Sequence, residues 1–170
     1  MQIFSLMKLA DIFTVGNLCC GILSILLAID GHFGLSASLL FLAVVFDVLD
    51  GKIAGLLHQK NLFGKQIDSM SDLISFGVAP VLLYYSMGAP GLLGIAVSLF
   101  FVSCGMLRLA RYNISDGIGF LGVPITVNGI LFPMLFLVFS RFPNTLDFWP
   151  LILLIQGFLM ISTLKISRIF

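Results

Sequence analysis

The residues in this chain that could do chemistry are four aspartates, set as Asp47-x-x-Asp50-Gly51-x-x-Ala54 and then Gly64-x-x-x-Asp68-x-x-x-Asp72. The chain has eight acidic residues, all Asp, and half of them fall in these 26 positions. On a helix, steps of three and four stack Asp47, Asp50, Gly51 and Ala54 on one face, while Asp68 and Asp72 lie one turn apart on the next helix. Four carboxylates brought together repel one another unless cations neutralise them. An all-oxygen ligand set suits hard divalent ions such as Mg²⁺ or Mn²⁺, and a pair of these handles pyrophosphate or phosphodiester chemistry. Gly51, Ala54 and Gly64 strip bulk from the same faces, so a ligand could approach the backbone; small residues also serve close helix packing. Lys52, Lys60, Lys65, Arg108 and Arg111 collect on the same side, where they could hold phosphate charge.

The elements that must position these groups read as membrane helices. Apolar residues make up 59% of 170 and charged residues 10%, with a mean hydropathy of +1.15. That composition belongs to an all-α integral membrane protein. A net charge of +1 gives no global basic field for nucleic acid. A span needs about 20 apolar residues, and polar or Gly/Pro breaks divide the chain into six: Ile12–Ile29, Phe33–Leu57, Gln66–Met87, Gly91–Tyr112, Ile118–Phe139 and Phe148–Ile169. Long unalternating apolar runs exclude a barrel, leaving a single six-transmembrane-helix bundle over residues 1–170. The first span follows no small-residue cleavage pattern and reads as a retained helix. Of nine Lys and Arg, only Arg141 falls on the far side of such a bundle, so both termini and the aspartates are expected at the cytoplasmic face. Carboxylates at the bilayer centre cost about 2.5 to 3.5 kcal/mol each on lenient scales, so this cluster is a functional candidate. Cys19, Cys20 and Cys104 lack metal or disulfide spacing and read as core residues, and Trp149 and Tyr112 read as interface anchors.

The run Asp47-Val48-Leu49-Asp50-Gly51-Lys52-Ile53-Ala54, followed by Gly64-Lys65-Gln66-Ile67-Asp68-Ser69-Met70-Ser71-Asp72, resembles the signature of the CDP-alcohol phosphotransferase family. Phe63-Gly64-Lys65, Asp72-Leu73-Ile74-Ser75-Phe76-Gly77-Val78-Ala79-Pro80, Arg108-Leu109-Ala110-Arg111-Tyr112-Asn113 and Gly122-Val123-Pro124-Ile125 resemble its phosphatidylserine synthase branch, which includes archaeal ether-lipid counterparts. The resemblance implies two divalent ions, Mg²⁺ or Mn²⁺, held by Asp47, Asp50, Asp68 and Asp72, with Asp72 also the general base. It implies a CDP-activated lipid beside Thr14, Gly51, Lys52, Ala54, Asn61 and Gly64. Lys65, Arg108 and Arg111 would hold the acceptor or phosphate. The implied reaction is attack of the L-serine hydroxyl on the lipid-side phosphorus with release of CMP, in a homodimer of the cell membrane.

Two positions depart from the family pattern: Gly55 stands where the signature has Arg, and Asp11-Ile12-Phe13-Thr14 replaces an Asn-x-x-Thr-like element. Arg108 and Arg111 suit a carboxylate or a phosphate equally, so glycerol phosphate and inositol phosphate stay open as acceptors. An ion-binding transporter is the alternative of a different class, but no internal repeat supports it.

Overall fold

The computed structural model describes residues 7–57, 61–88, 91–114 and 122–164. Lys60, Lys165 and Arg168 lie outside these residues. All regular structure among them is helical: α1 Leu9–Ile29, α2 Phe33–Leu56, α3 Leu62–Gly88, α4 Gly91–Ile114, α5 Asn128–Arg141 and α6 Trp149–Ile161. Local signals set several of the ends. The Asp11 carboxylate accepts the Lys8 N–H at 2.8 Å, occupying a backbone donor at the start of α1. Gly31, at φ +80°, turns the chain between α1 and α2 in a conformation that favours glycine. Asn61 caps α3 by accepting the Gly64 N–H.

Among the described residues five helical stretches, the last of them Pro143–Ile161, are long and apolar enough to cross a membrane, and a sixth apolar stretch is shorter. The shorter stretch answers to the predicted span Ile118–Phe139, of which residues 118–121 lie outside the described residues. Helix α5 starts only at Asn128, after a 3₁₀ turn over Ile125–Val127, so this apolar element runs from Ile125 to Arg141. Pro124 is extended, at ψ 139°, and Gly122 has φ +77°. The Gly122 N–H donates to the Leu164 carbonyl at 2.9 Å, and that of Val123 to Leu159 at 3.1 Å. The segment thus runs along the end of α6 instead of coiling. Helix α3 begins at Leu62, before the predicted Gln66, because Asn61 caps it there; Gly64 and Lys65 are therefore helical. Helix α6 follows a 3₁₀ turn over Pro143–Phe148 and ends at Ile161, earlier than predicted.

Small buried residues, Ser24, Ala28, Ser36 and Ala37, line the α1–α2 contact, and the Ser24 hydroxyl donates to the Ser36 carbonyl at 3.0 Å. Close backbone approach of this kind drives packing where water does not. The larger core gathers Phe76, Phe101, Phe132, Trp149, Leu153 and Met160. Trp149 is not an interface anchor: it is 1% exposed and stacks on Tyr84 with ring centroids 5.6 Å apart. Cys20 and Cys104 are buried and Cys19 is exposed, all three as free thiols. Leu92, Leu99, Leu151 and Phe158 are among many large apolar side chains on the exterior, a surface suited to lipid.

Candidate active site

Four helices converge on the aspartates. Helix α2 presents Asp47 and Asp50, and α3 presents Asp68 and Asp72. Carboxylate oxygens of Asp47, Asp50 and Asp68, one from each, lie within 4.8 Å of one another. Asp47 is also in hydrogen-bonding reach of Asp72 and of Thr126, which precedes α5. Helix α1 orients two of the acids: Thr14 Oγ1 donates to Asp50 Oδ2 at 2.9 Å, and Asn17 Nδ2 donates to Asp72 Oδ1 at 3.1 Å. From α4, Arg108 lies in the field of Asp72 and Asp47.

The donor set fits divalent cations. Asp68 Oδ1 is buried and has no hydrogen-bond partner, a state a native acceptor rarely keeps unless something else occupies it. An ion bound among the three carboxylates would relieve both that orphaned atom and the mutual repulsion of the acids.

Beside the acids a cavity of about 450 Å³ is lined by Asp50, Gly51, Ala54, Gly64, Lys65 and Asp68, with Asp11 and Thr14 on the α1 side. Asn61 also borders it. The glycines differ in purpose. A Cβ on Gly51 would meet no neighbour within 4 Å, so no helix packs there and the bare backbone faces open space. A Cβ on Gly64 would sit 3.0 Å from Asp11 Oδ1 and 3.2 Å from Asn61 Oδ1, so this glycine admits the start of α1 to the start of α3.

The cations distribute unevenly. Lys65 borders the cavity, but its ammonium donates to the carbonyls of Tyr112 and Asn113, each at 3.0 Å, and lies 4.8 Å from the Tyr112 ring centre. Arg111 donates to the carbonyls of Ile161, Met160 and Ser162 at 3.1 to 3.2 Å, closing the C-terminus of α6. Arg108 is 7% exposed, its Nε is buried without a hydrogen-bond partner, and its guanidinium lies 5.9 Å from the Tyr112 ring centre. Lys52 is exposed and does not border the cavity. Gly55 faces space where a Cβ meets nothing within 4 Å.

Asn17, Asp11 and Thr126 were not among the residues predicted for the site. Asn17 had a readable signal: Asp11, Thr14 and Asn17 recur every third residue in an otherwise apolar helix, and all three are buried. Thr126 had none, since its approach to Asp47 depends on how the segment before α5 folds.

Residues 7–164 match the family model for CDP-alcohol phosphatidyltransferase. The chain belongs to the CDP-alcohol phosphatidyltransferase family. It is 39% identical to an archaetidylserine synthase of Methanothermobacter thermautotrophicus, across 99% of this chain and 73% of that one. It is 36% identical to a CDP-diacylglycerol–serine O-phosphatidyltransferase of Methanocaldococcus jannaschii, across 98% and 77% respectively. A Helicobacter pylori enzyme of the same name is 34% identical, across 97% and 74%. Asp47, Asp50 and Asp68, which the fold brings together, all fall inside the matched residues.

Proposed function

We propose that this chain is a serine phosphatidyltransferase: it transfers the phosphatidyl or archaetidyl group of a CDP-activated lipid to L-serine and releases CMP. One observation carries the reading: the Asp47, Asp50 and Asp68 carboxylates converge beside a cavity in a chain alike, over nearly its whole length, to enzymes named for this transfer.

In this reading Asp47, Asp50, Asp68 and Asp72 would hold two divalent ions, Mg²⁺ or Mn²⁺, which would supply neutralisation of phosphate charge. Gly51 and Ala54 admit the nucleotide end of the lipid to the cavity that Gly64 also borders, Thr14 keeps Asp50 aimed, and Asn61 holds the start of α3. Asp72 accepts the proton as the serine Oγ–P bond forms and the bond from phosphorus to the CMP oxygen breaks. Asn17, bonded to Asp72, fixes which carboxylate oxygen faces the reacting hydroxyl.

Arg108 holds the acceptor. Lys65 and Arg111 already spend donors on main-chain carbonyls. Arg108 has a buried donor with no hydrogen-bond partner, which suits the single carboxylate of serine better than a dianionic phosphate needing several cations. The short Ile125–Arg141 element counts here as the sixth span. Both termini and the active site face the cytoplasm of the cell membrane, and the working assembly is a homodimer, as the family resemblance implies.

Purified protein given CDP-diacylglycerol or CDP-archaeol, Mg²⁺ or Mn²⁺, and a panel of alcohols should release CMP with serine and little with glycerol phosphate or inositol phosphate. Equal release with every acceptor, or release unchanged in Asp72→Asn, overturns the assignment.

A further inference from the structure

Helix α3 changes its winding immediately after Asp72. It is α-helical over Leu62–Asp72, π-helical over Leu73–Val78 and α-helical again over Ala79–Gly88, with the Ala79 N–H donating to the Ile74 carbonyl five residues back. Single π turns inside α-helices occur often at functional sites. Pro80, fully buried, stands where the α winding resumes and has no N–H to give a carbonyl of the preceding turn, which in that winding is Phe76, four residues earlier. A carbonyl left bare in the protein interior costs free energy. Here a side chain supplies the donor: Asn128 Nδ2 reaches the Phe76 carbonyl at 3.1 Å. Gln156 Nε2 donates to Asn128 Oδ1 at 2.9 Å, which fixes the amide with its NH₂ toward α3. All three residues are fully or nearly fully buried.

The opposite side of the same turn is stitched to α1. Ser75 Oγ donates to the Asn17 carbonyl at 3.0 Å, and the Asn17 side chain donates to Asp72. The fit is close: a Cβ on Gly21 would fall 2.8 Å from Ser75 Cα, so α1 lies directly against the widened turn. The turn that begins at Asp72 is thus gripped by α1 on one face and by an amide pair from α5 and α6 on the other.

We infer that Asn128 and Gln156 are positioning residues for the metal-binding and proton-accepting aspartate: they replace the donor that Pro80 lacks, hold the π turn, and so aim Asp72 at the site. The inference rests on the role given to Asp72 in the proposed function, but not on which alcohol is the acceptor.

A cycle among Asn128→Leu, Pro80→Ala and the double variant tests it, because alanine at 80 returns an N–H to the chain. The readouts are Mn²⁺ affinity, followed by the electron paramagnetic resonance of free Mn²⁺ with the purified full-length protein, and kcat and KM for CMP release. Asn128→Leu should weaken Mn²⁺ binding and lower kcat about threefold to tenfold, at the lower edge of outer-shell effects on metal sites, with KM for the CDP-lipid within about twofold. The double variant should recover most of that loss. A double variant no better than Asn128→Leu overturns the inference, since a residue needed only for packing would be missed equally in both backgrounds. Should Asn128→Leu fail to fold, Gln156→Met keeps the volume and removes the donor to Asn128; Mn²⁺ affinity and kcat both unchanged in it also overturn the inference. If the Mn²⁺ cycle behaves as expected while serine gives no CMP, the acceptor assignment falls and the positioning role stands.

Discussion

Two buried polar groups in this bundle contrast sharply. The amide network of Phe76, Asn128 and Gln156 is closed around Asn128, whose side-chain amide both gives and receives within the protein. The aspartate site is open. Five buried side-chain atoms among the described residues lack hydrogen-bond partners, and three of them, Asp68 Oδ1, Asn17 Oδ1 and Arg108 Nε, lie in or beside the acid cluster; Ser98 Oγ and Trp149 Nε1 are elsewhere. A closed network in a dry interior is structure, since every group's desolvation is repaid internally. An open one keeps bonding capacity in reserve, and the reserve here is of the kinds a divalent cation and an anionic acceptor would use.

That contrast breaks first at the acids. Replacing Asp68 by Asn should lower kcat by at least about 100-fold, since loss of a metal ligand costs no less than loss of its outer-shell support. Thermal stability should hold or rise as like charges are relieved. Removing divalent ions with EDTA should stop CMP release, and returning Mg²⁺ or Mn²⁺ should restore it. Activity surviving the chelator would mean that the open site is not a metal site.

The next effect is at Arg108. Arg108→Gln should raise the KM for serine about tenfold or more, the equivalent of a lost charge-assisted hydrogen bond of about 1.5 to 3 kcal/mol, with KM for the CDP-lipid little changed. A rise in the lipid KM instead would move Arg108 to the nucleotide side. Thr14→Val removes one neutral donor from Asp50 and should cost about 1 kcal/mol, read as roughly a fivefold loss in kcat/KM.

The glycines sharpen the comparison with the smallest change. Gly51→Ala should stabilise α2 by up to about 1 kcal/mol while raising the KM for the CDP-lipid, because its Cβ meets open cavity. Gly129→Ala should destabilise, because its Cβ would collide with Val44 and fall 2.6 Å from the Phe76 ring. Thermal melts and lipid KM values for the two variants separate a glycine kept for the ligand from one kept for packing. Equal melting shifts would erase that distinction.

Much of this was legible from spacing. Asp47, Asp50, Gly51 and Ala54 share a face because the helical repeat puts them there, and the short α2–α3 connection makes the two acid-bearing helices neighbours. What spacing could not show is how each long side chain spends its donors. Arg108 and Arg111 lie one turn apart with the same side chain, yet Arg111 closes α6 and Arg108 faces the acids. The helix of the predicted fifth span begins only at Asn128 for a related reason: hydropathy measures whether residues tolerate lipid, whereas Gly122 and Pro124 set a backbone path along α6 that hydropathy does not register.

The sequence alone determined the class of molecule, the helical faces and the carboxylate make-up of the acid cluster, because composition and periodicity act locally and through every residue of an element. Only the tertiary structure decided that Asn17 meets Asp72, that Asn128 reaches the Phe76 carbonyl, and that Gly51 borders empty space while Gly64 admits Asp11. Those outcomes depend on ångström-scale distances between elements far apart in the chain, where one hydrogen bond made or left open separates a packing residue from a functional one.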